Sequence, residues 1–508
     1  MRVQVFTLVI SLFNYLLSGT TAQAQSSTPV NFNPVVPDNI ADPSVVKFND
    51  TFYLYATTDI DRGLSMAGPP VVWKSKDFVN WSFSGTIINS IDWNKQYEYT
   101  DDKGAKKTGY FRYWAPGKPL MRDGIYYLFP TIVKPDGSTG TYVMTAPTPD
   151  GPFHFATGDG IFFNEPLNGR KEATALVPDI DGEPFVDSDG SCYIYWRRRM
   201  AAKLSSDWLL LDGKPVEIAT KHSGYSEGPL LFKRKGIYYY VYTLSGHGNY
   251  VNGYMMSRTG PLGPFEVPAG KDIFIQSSLE NKVWGPGHGN VFQVPGTDDF
   301  IFVYLEYGEG STTRQVFANR MHFNADGTIE PVIVDNKGIG YLAKPATKAN
   351  NIATGAVVTA SSYREPKTVS QSIETNPNAL INIGNNFKGP TVETVSRTFS
   401  YMPQLAVDGS NGTRWLAKTD DHQPWLMIDL GKTRSISSCE MYFVFPSLGH
   451  AWQLQRSDDG VNWQTCATQQ EITVRSPHIA SKIGKARFLR LSVTQGTAGL
   501  WEMKVFGK

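Results

Sequence analysis

Three carboxylates stand at the entrances of aromatic strands. Asp42 opens "DPSVVKFNDTFYLYATTD", Asp181 opens "DGEPFVDSDGSCYIYW" and Glu227 opens "EGPLLFKRKGIYYYVYT". A lone Asp-Pro reads as a turn whose side chain is tied to backbone N–H groups, because an unpaired charge at a buried strand is costly. Three carboxylates at matching places of separate repeats point instead to one shared site. Two carboxyl groups flanking a neutral glycosidic bond are the apparatus of glycoside hydrolysis, one ionised and one kept protonated. Asp42, short and deep at its strand, suits the general base that activates water. Glu227, with its longer side chain, can reach a leaving-group oxygen as the general acid. Asp181 is then the third carboxylate, whose negative charge raises the pKa of Glu227 and orients it. Asp179 and Glu183 compete for that third role.

The elements that must position these groups recur along the chain. "WAPGKPLMRDGIYYLFPT" from Trp114 and "GHGNVFQVPGTDDFIFVYLEY" from Gly287 repeat the same form, giving five units in all. A period of this kind signals a repeat architecture. Each unit holds two strands joined by a Gly/Asp turn, and "GTYVMTAPTPDGPFHF" and "NGYMMSRTGPLGPFEV" supply further strands between units. The expected fold is all-β, a five-bladed β-propeller over 31–345. The first strand of each blade lines the central channel, so residues far apart in sequence converge at its mouth. After a linker, "LAKPATKANNIATG", alternating strands with Gly/Asn/Asp turns predict a β-sandwich (jelly-roll) domain over 351–508. Within it, the Thr-, Ser- and Asn-rich segment 364–400 has weak periodicity and is expected as a long inserted loop.

The bulk numbers narrow the partners. The 508 residues are 41% hydrophobic and 13% aromatic, ample for more than one core. Lys plus Arg total 48 against 47 Asp plus Glu, a net charge of +1, so no basic field exists to hold nucleic acid or an anionic membrane surface. An apolar run over residues 3 to 17, followed by small residues at Ala22 and Ala24, predicts a secretory signal over 1–24 and export to the periplasm or beyond. No later run is long enough to span a membrane, so no membrane insertion is expected. Three cysteines occur, Cys192, Cys439 and Cys466, at spacings that match no metal finger. Cys192 reads as a core residue, and Cys439 and Cys466 share a domain in which they could pair or remain buried thiols. Oligomeric state is left open by the sequence.

The combination "ADPSVV", "WAP", "DGEPFVDSDG" and "SEGP" resembles glycoside hydrolase family 43, whose members are five-bladed propellers that remove arabinofuranosyl, xylosyl or related sugars with inversion. The resemblance implies Asp42 as base, Asp181 as pKa modulator and Glu227 as acid, with no cofactor needed for the chemistry. It adds His288 from "GPGHGNVF" and Arg314 from "TRQVFANRMHFNADG" as substrate-side residues. His288 reads equally well as a satisfied turn histidine, and Arg314 as a strand-face ion pair. Trp114 opens a repeat beside the carboxylates and is the favoured platform for a sugar face; Trp73, Trp196 and Trp284 are better explained as packing between blades.

The C-terminal stretches "VDGSNGTRW", "PWLMIDLG", "SDDGVNW" and "ARFLRL" resemble the discoidin or coagulation-factor type C domains found in carbohydrate-binding modules. That resemblance implies a structural calcium held by Asp408, Thr413 and Glu502, hard oxygen donors of the kind calcium takes. The expected activity is that of a secreted, inverting exo-glycosidase acting on terminal α-L-arabinofuranose of plant-type carbohydrate. β-Xylosidase and β-D-galactofuranosidase are alternatives within the fold. A non-catalytic glycan-binding protein is the alternative of another class, against which the retention of all three carboxylates speaks.

Overall fold

Tight turns set the propeller's hairpins. Asp123 and Gly124, at φ 52° and 79°, join Leu120–Arg122 to Ile125–Leu128, and Lys235 and Gly236, at φ 49° and 80°, join Leu230–Arg234 to Ile237–Leu244. Two consecutive left-handed residues give the turn whose twist matches paired strands. The computed structural model describes residues 31–222, 225–244, 246–268, 272–345, 350–374 and 392–508. The secretory signal expected over 1–24 lies outside them.

Five antiparallel blades follow one another. The first contains Ile40–Phe48, Thr51–Thr58, Val72–Ser75 and Trp81–Ser84. The second is split, because Pro116, Pro119 and Pro130 interrupt its first two strands, and proline donates nothing to a ladder. Its inner half pairs Arg112–Trp114 with Thr131–Val133, and its outer half pairs Leu120–Arg122 with Ile125–Leu128. The third blade runs from Glu183–Val186 to Val216–Glu217, the fourth from Leu230–Arg234 to Ile273–Ile275, and the fifth holds Gly289–Gln293, Phe300–Glu306 and Gln315–Met321.

Apolar clusters seal every seam of the ring. Tyr55 packs with Tyr113 and Ile132, Phe129 with Ile194, Tyr195 with Tyr240, Tyr239 with Phe302, and Leu54 with Val303, so all five neighbouring blade pairs are joined. Each fully buried side chain of this size contributes about 1.5–3 kcal/mol. The ring is closed by the segment that precedes the first blade: Val35 N–H donates to Val316 O at 2.8 Å, and Asn33 exchanges hydrogen bonds with the backbone of Ala318.

The C-terminal domain is built on two long antiparallel strands, Trp425–Phe443 and His478–Gln495, flanked by Gly499–Gly507 and His450–Ser457. Bulges near Asp429 and Ile436 bend the sheet around a core of Trp415, Leu426, Leu454, Leu491 and Met503. Arg475–Ser476 leaves this domain to pair with Trp81–Ser84, adding an outer strand to the first blade.

The segment expected as an inserted loop is instead, in its described residues, an antiparallel ribbon, Lys367–Glu374 paired with Val392–Phe399. Its Val, Ile and Thr side chains favour extended backbone. The ribbon lies against the propeller: Arg397 ion-pairs with Glu306 at 3.0 Å, and its guanidinium sits 4.9 Å from the Trp284 ring centre. Nearby, Arg414 pairs with buried Glu309, which also accepts from Tyr401 OH at 2.8 Å.

Cys192, Cys439 and Cys466 are all free thiols, the first two buried in cores. Among the described residues, no helix is long and apolar enough to cross a membrane.

Candidate active site

The entrance of each blade's first strand is a left-handed residue followed by proline or glycine. Asp42, Ala115, Asp181, Gly228 and Gly285 take φ values of 50°, 34°, 64°, 54° and 60°. At Asp42 the pairing slips from Ala41↔Thr57 to Ser44↔Tyr55, so Asp42 and Pro43 together face a single partner residue. This bulge re-aims the Asp42 carboxylate out of the sheet and into the channel. The entrances are also stitched in the same way: Ala115 N–H donates to Thr57 Oγ1 at 2.8 Å, Asp181 N–H to Thr131 Oγ1 at 2.9 Å, and Gly228 N–H to Asp181 Oδ2 at 3.0 Å. Only two of the three carboxylates are therefore repeat-equivalent. Gly228 occupies the place of Asp42 and Asp181, and Glu227 precedes it by one residue, so its longer side chain enters from another direction.

All three carboxylates nonetheless line one cavity of about 920 Å³, together with Trp114, His288 and Arg314. Asp42 Oδ2 accepts from Thr57 Oγ1 at 2.7 Å, while Oδ1 faces Arg314 Nη1 at 3.5 Å and His288 Nδ1 at 3.6 Å. Arg314 is itself fixed by a two-pronged pair with buried Asp59, at 2.9 Å for each prong. Burial works against the Arg314 charge, but Asp59 and Asp42 outweigh it and hold the guanidinium firmly protonated.

His288 Nδ1 lies 3.9 Å from Asp181 Oδ2. Burial disfavours its imidazolium, yet Asp181, Asp42, Glu227 and Glu183 together raise its pKa above the ordinary value. Burial pushes Asp181 up to about 7; His288 opposes this, and the charges of Glu227 and Asp42 add to it.

Glu227 is held by two tyrosines. Tyr250 OH donates to Oε1 and Tyr225 OH to Oε2. Tyr225 is in turn bonded by Arg197, which ion-pairs with Asp179 at 2.6 Å. Asp179, one competitor for the third role, thus acts on the cavity through Arg197. Glu183, the other, is turned to Lys118 N–H at 2.7 Å and Asn290 Nδ2 at 3.1 Å. Burial raises its carboxyl to about 7.

Trp114 is half-buried on the cavity wall, with the Arg112 guanidinium 5.1 Å from its ring centre. Trp73, Trp196 and Trp284 are buried between blades or beneath Arg397. Sequence reasoning missed Asp59, Tyr225 and Tyr250, and it missed the ribbon, whose Ser370, Gln371 and Ser372 also line the cavity. The period-two spacing of Val369, Gln371 and Ile373 was the available signal for that ribbon.

In the C-terminal domain Asp408, Thr413 and Glu502 do meet. Thr413 Oγ1 donates to Asp408 Oδ2 at 2.7 Å, and Gly409 N–H to Glu502 Oε2 at 3.1 Å. Glu502 Oε1 is buried without a hydrogen-bond partner. Burial raises the Glu502 carboxyl to about 8, and the nearby Asp408 charge adds to the rise. An orphaned carboxylate oxygen beside a second carboxylate suits a hard cation. No group of three or more His, Cys, Asp or Glu residues forms a metal cluster among the described residues, so Thr413 and backbone oxygens would have to complete such a site.

Residues 32–329 match glycosyl hydrolases family 43, more than half of the chain. The chain belongs to that family. Residues 391–504 match the F5/8 type C domain. A solved structure described as a glycoside hydrolase is 40% identical with a TM-score of 0.79, over 94% of this chain and 99% of that one. A β-D-galactofuranosidase of Aspergillus niger is 28% identical over 64% of this chain and 90% of its own length. An arabinoxylan arabinofuranohydrolase of Bacillus subtilis is 24% identical over 87% of this chain and 95% of its own. As a family 43 member, the chain is a glycoside hydrolase that acts on carbohydrate.

Proposed function

We propose that this chain is an inverting exo-glycosidase that removes terminal α-L-arabinofuranosyl residues from plant-type polysaccharides or oligosaccharides. The observation that carries the reading is the convergence of Asp42, Asp181 and Glu227 from three blades on one cavity. Asp42 is the general base. Its Oδ1 sits beside two positive groups, Arg314 and His288, and it takes a proton from the water that attacks the anomeric carbon. Glu227 is the general acid. Of its two tyrosines, Tyr225 is 45% exposed and is the one that gives way, so that Oε2 meets the glycosidic oxygen and protonates it as the bond breaks.

Asp181 sets the charge around both. It shares His288 with Asp42 and is assigned as the third carboxylate, the modulator of the acid. Trp114 offers a face to the sugar. Exo action suits a cavity to which the C-terminal ribbon adds a wall, since a walled space receives a chain end more readily than a continuous chain. Asp408, Thr413 and Glu502 are read as a structural calcium site that steadies the C-terminal domain and takes no part in the chemistry.

The similarity to a β-D-galactofuranosidase over 90% of that protein favours a second reading, β-D-galactofuranose, which also has a five-membered ring. The test is hydrolysis of aryl α-L-arabinofuranoside, β-D-galactofuranoside and β-D-xyloside, with the first-formed anomer followed by NMR. A dominant arabinofuranoside rate with inverted product supports the proposal. A dominant rate on another sugar replaces the substrate, and a retained anomer removes the mechanism.

A further inference from the structure

We infer that the C-terminal ribbon is part of the substrate site: Gln371, with Ser370 and Ser372, forms the subsite for an uncharged, hydroxylated leaving group, that is, the sugar from which the terminal residue is cleaved. The inference rests on the assignment of Glu227 as the acid.

The ribbon reaches the cavity on the side of that acid. It packs on residues 246–250, the segment that carries Tyr250, whose hydroxyl donates to Glu227 Oε1. Asn249 Nδ2 donates to Ser372 O at 2.8 Å, and Glu374 N–H donates to Asn249 Oδ1 at 2.9 Å. Gln371 lies directly over Gly248, where a Cβ would collide with its Oε1. A general acid stands beside the oxygen it protonates; the group leaving with the oxygen that Glu227 Oε2 protonates therefore occupies the cavity that this wall bounds together with Glu227.

The chemistry of the wall fits a neutral sugar. Its ribbon members at the cavity are Val369, Ser370, Gln371, Ser372 and Val392, with hydroxyls, one amide and no charge. Gln371 Nε2 is buried without a hydrogen-bond partner. A buried unsatisfied donor is destabilising, and a ligand hydroxyl or ring oxygen would satisfy it. The ribbon is also anchored firmly enough to hold a subsite: on its second strand, Arg397 donates to Gly308 O at 2.7 Å and pairs with Glu306. Recognition of the leaving group is therefore supplied by a domain separate from the one that carries the catalytic carboxylates.

The experiment compares kcat/KM on an aryl α-L-arabinofuranoside, which has no sugar leaving group, with that on an arabinofuranosylated xylo-oligosaccharide, for the full chain and for Gln371→Ala. The inference expects the oligosaccharide value to fall at least tenfold further than the aryl value. Gly248→Ala, which displaces the Gln371 amide without removing it, should lower the same ratio. Equal losses on both substrates in both variants, with the parent chain active, would overturn the inference and leave the proposed function intact. A parent chain inactive on aryl glycosides of all three sugars would overturn both.

Discussion

Arg314 grips Asp59 with two nitrogens at 2.9 Å and leaves its third, Nη1, 3.5 Å from Asp42 Oδ1. A buried carboxylate at the end of Thr51–Thr58 thus fixes, through one planar guanidinium, the carboxylate assigned as the base. Arg314→Lys removes the two-pronged geometry while keeping the charge. It should lower kcat at least tenfold. It should also destabilise the fold by about 3 kcal/mol, the order expected when a buried ion pair loses its partner geometry. Steady-state kinetics beside a denaturant titration checks this; unchanged kcat would remove Arg314 from the positioning of Asp42.

Asp181 ties stability to pH. Its carboxyl is held up to about 7 against a reference of 3.8, so between these values the folded chain binds a proton that the unfolded chain has lost. The stabilisation is complete below pH 4 and is lost as pH rises through 7. His288, also raised, acts in the same direction. Asp181→Asn should therefore flatten the decline in Tm between pH 5 and pH 8 while lowering kcat more than it changes KM. A parallel decline in parent and variant would contradict the assignment.

Glu227 and its tyrosines have separable signatures. Glu227→Gln should spare glycosides with very good leaving groups far more than natural ones, because such leaving groups need little protonation. Tyr250→Phe removes the donor to Oε1 and should lower turnover of natural glycosides about tenfold, whereas Tyr225→Phe should cost less. Equal losses on good and poor leaving groups for Glu227→Gln would argue against an acid.

Calcium should act on stability and not on chemistry. Adding it to chelator-treated protein is expected to raise Tm, and Glu502→Gln should abolish the rise while the kcat on an aryl glycoside tracks the parent with and without calcium. No shift in the parent would dismiss Asp408, Thr413 and Glu502 as a calcium site.

The legible part of this molecule was the part built by repetition. Turns such as Lys235 and Gly236, aromatic strands such as Ile237–Leu244 and the Asp-Pro at Asp42 each carry their meaning locally, and their recurrence gave the ring. What stayed hidden depends on contacts that no spacing encodes. Asp59 and Arg314 are joined only because the last blade closes against the first. Tyr250 reaches Glu227 across a blade's inner edge. The one-residue offset of Glu227 from Asp42 and Asp181 is invisible until backbone geometry shows Gly228 in the left-handed place. The sequence predicts a loop at the ribbon because Ser, Thr and Gln give its strands little apolar contrast, and one of its faces meets a polar cavity in place of a core.

The central claim is that Asp42 activates the attacking water. Its most direct test is the initial rate of aryl α-L-arabinofuranoside hydrolysis by the purified chain and by Asp42→Asn, whose fold is checked by circular dichroism. The variant is expected to lose at least about a thousandfold in kcat, within the range for removal of a general base, while still binding the substrate. A folded Asp42→Asn variant that retains near-normal turnover would contradict the account.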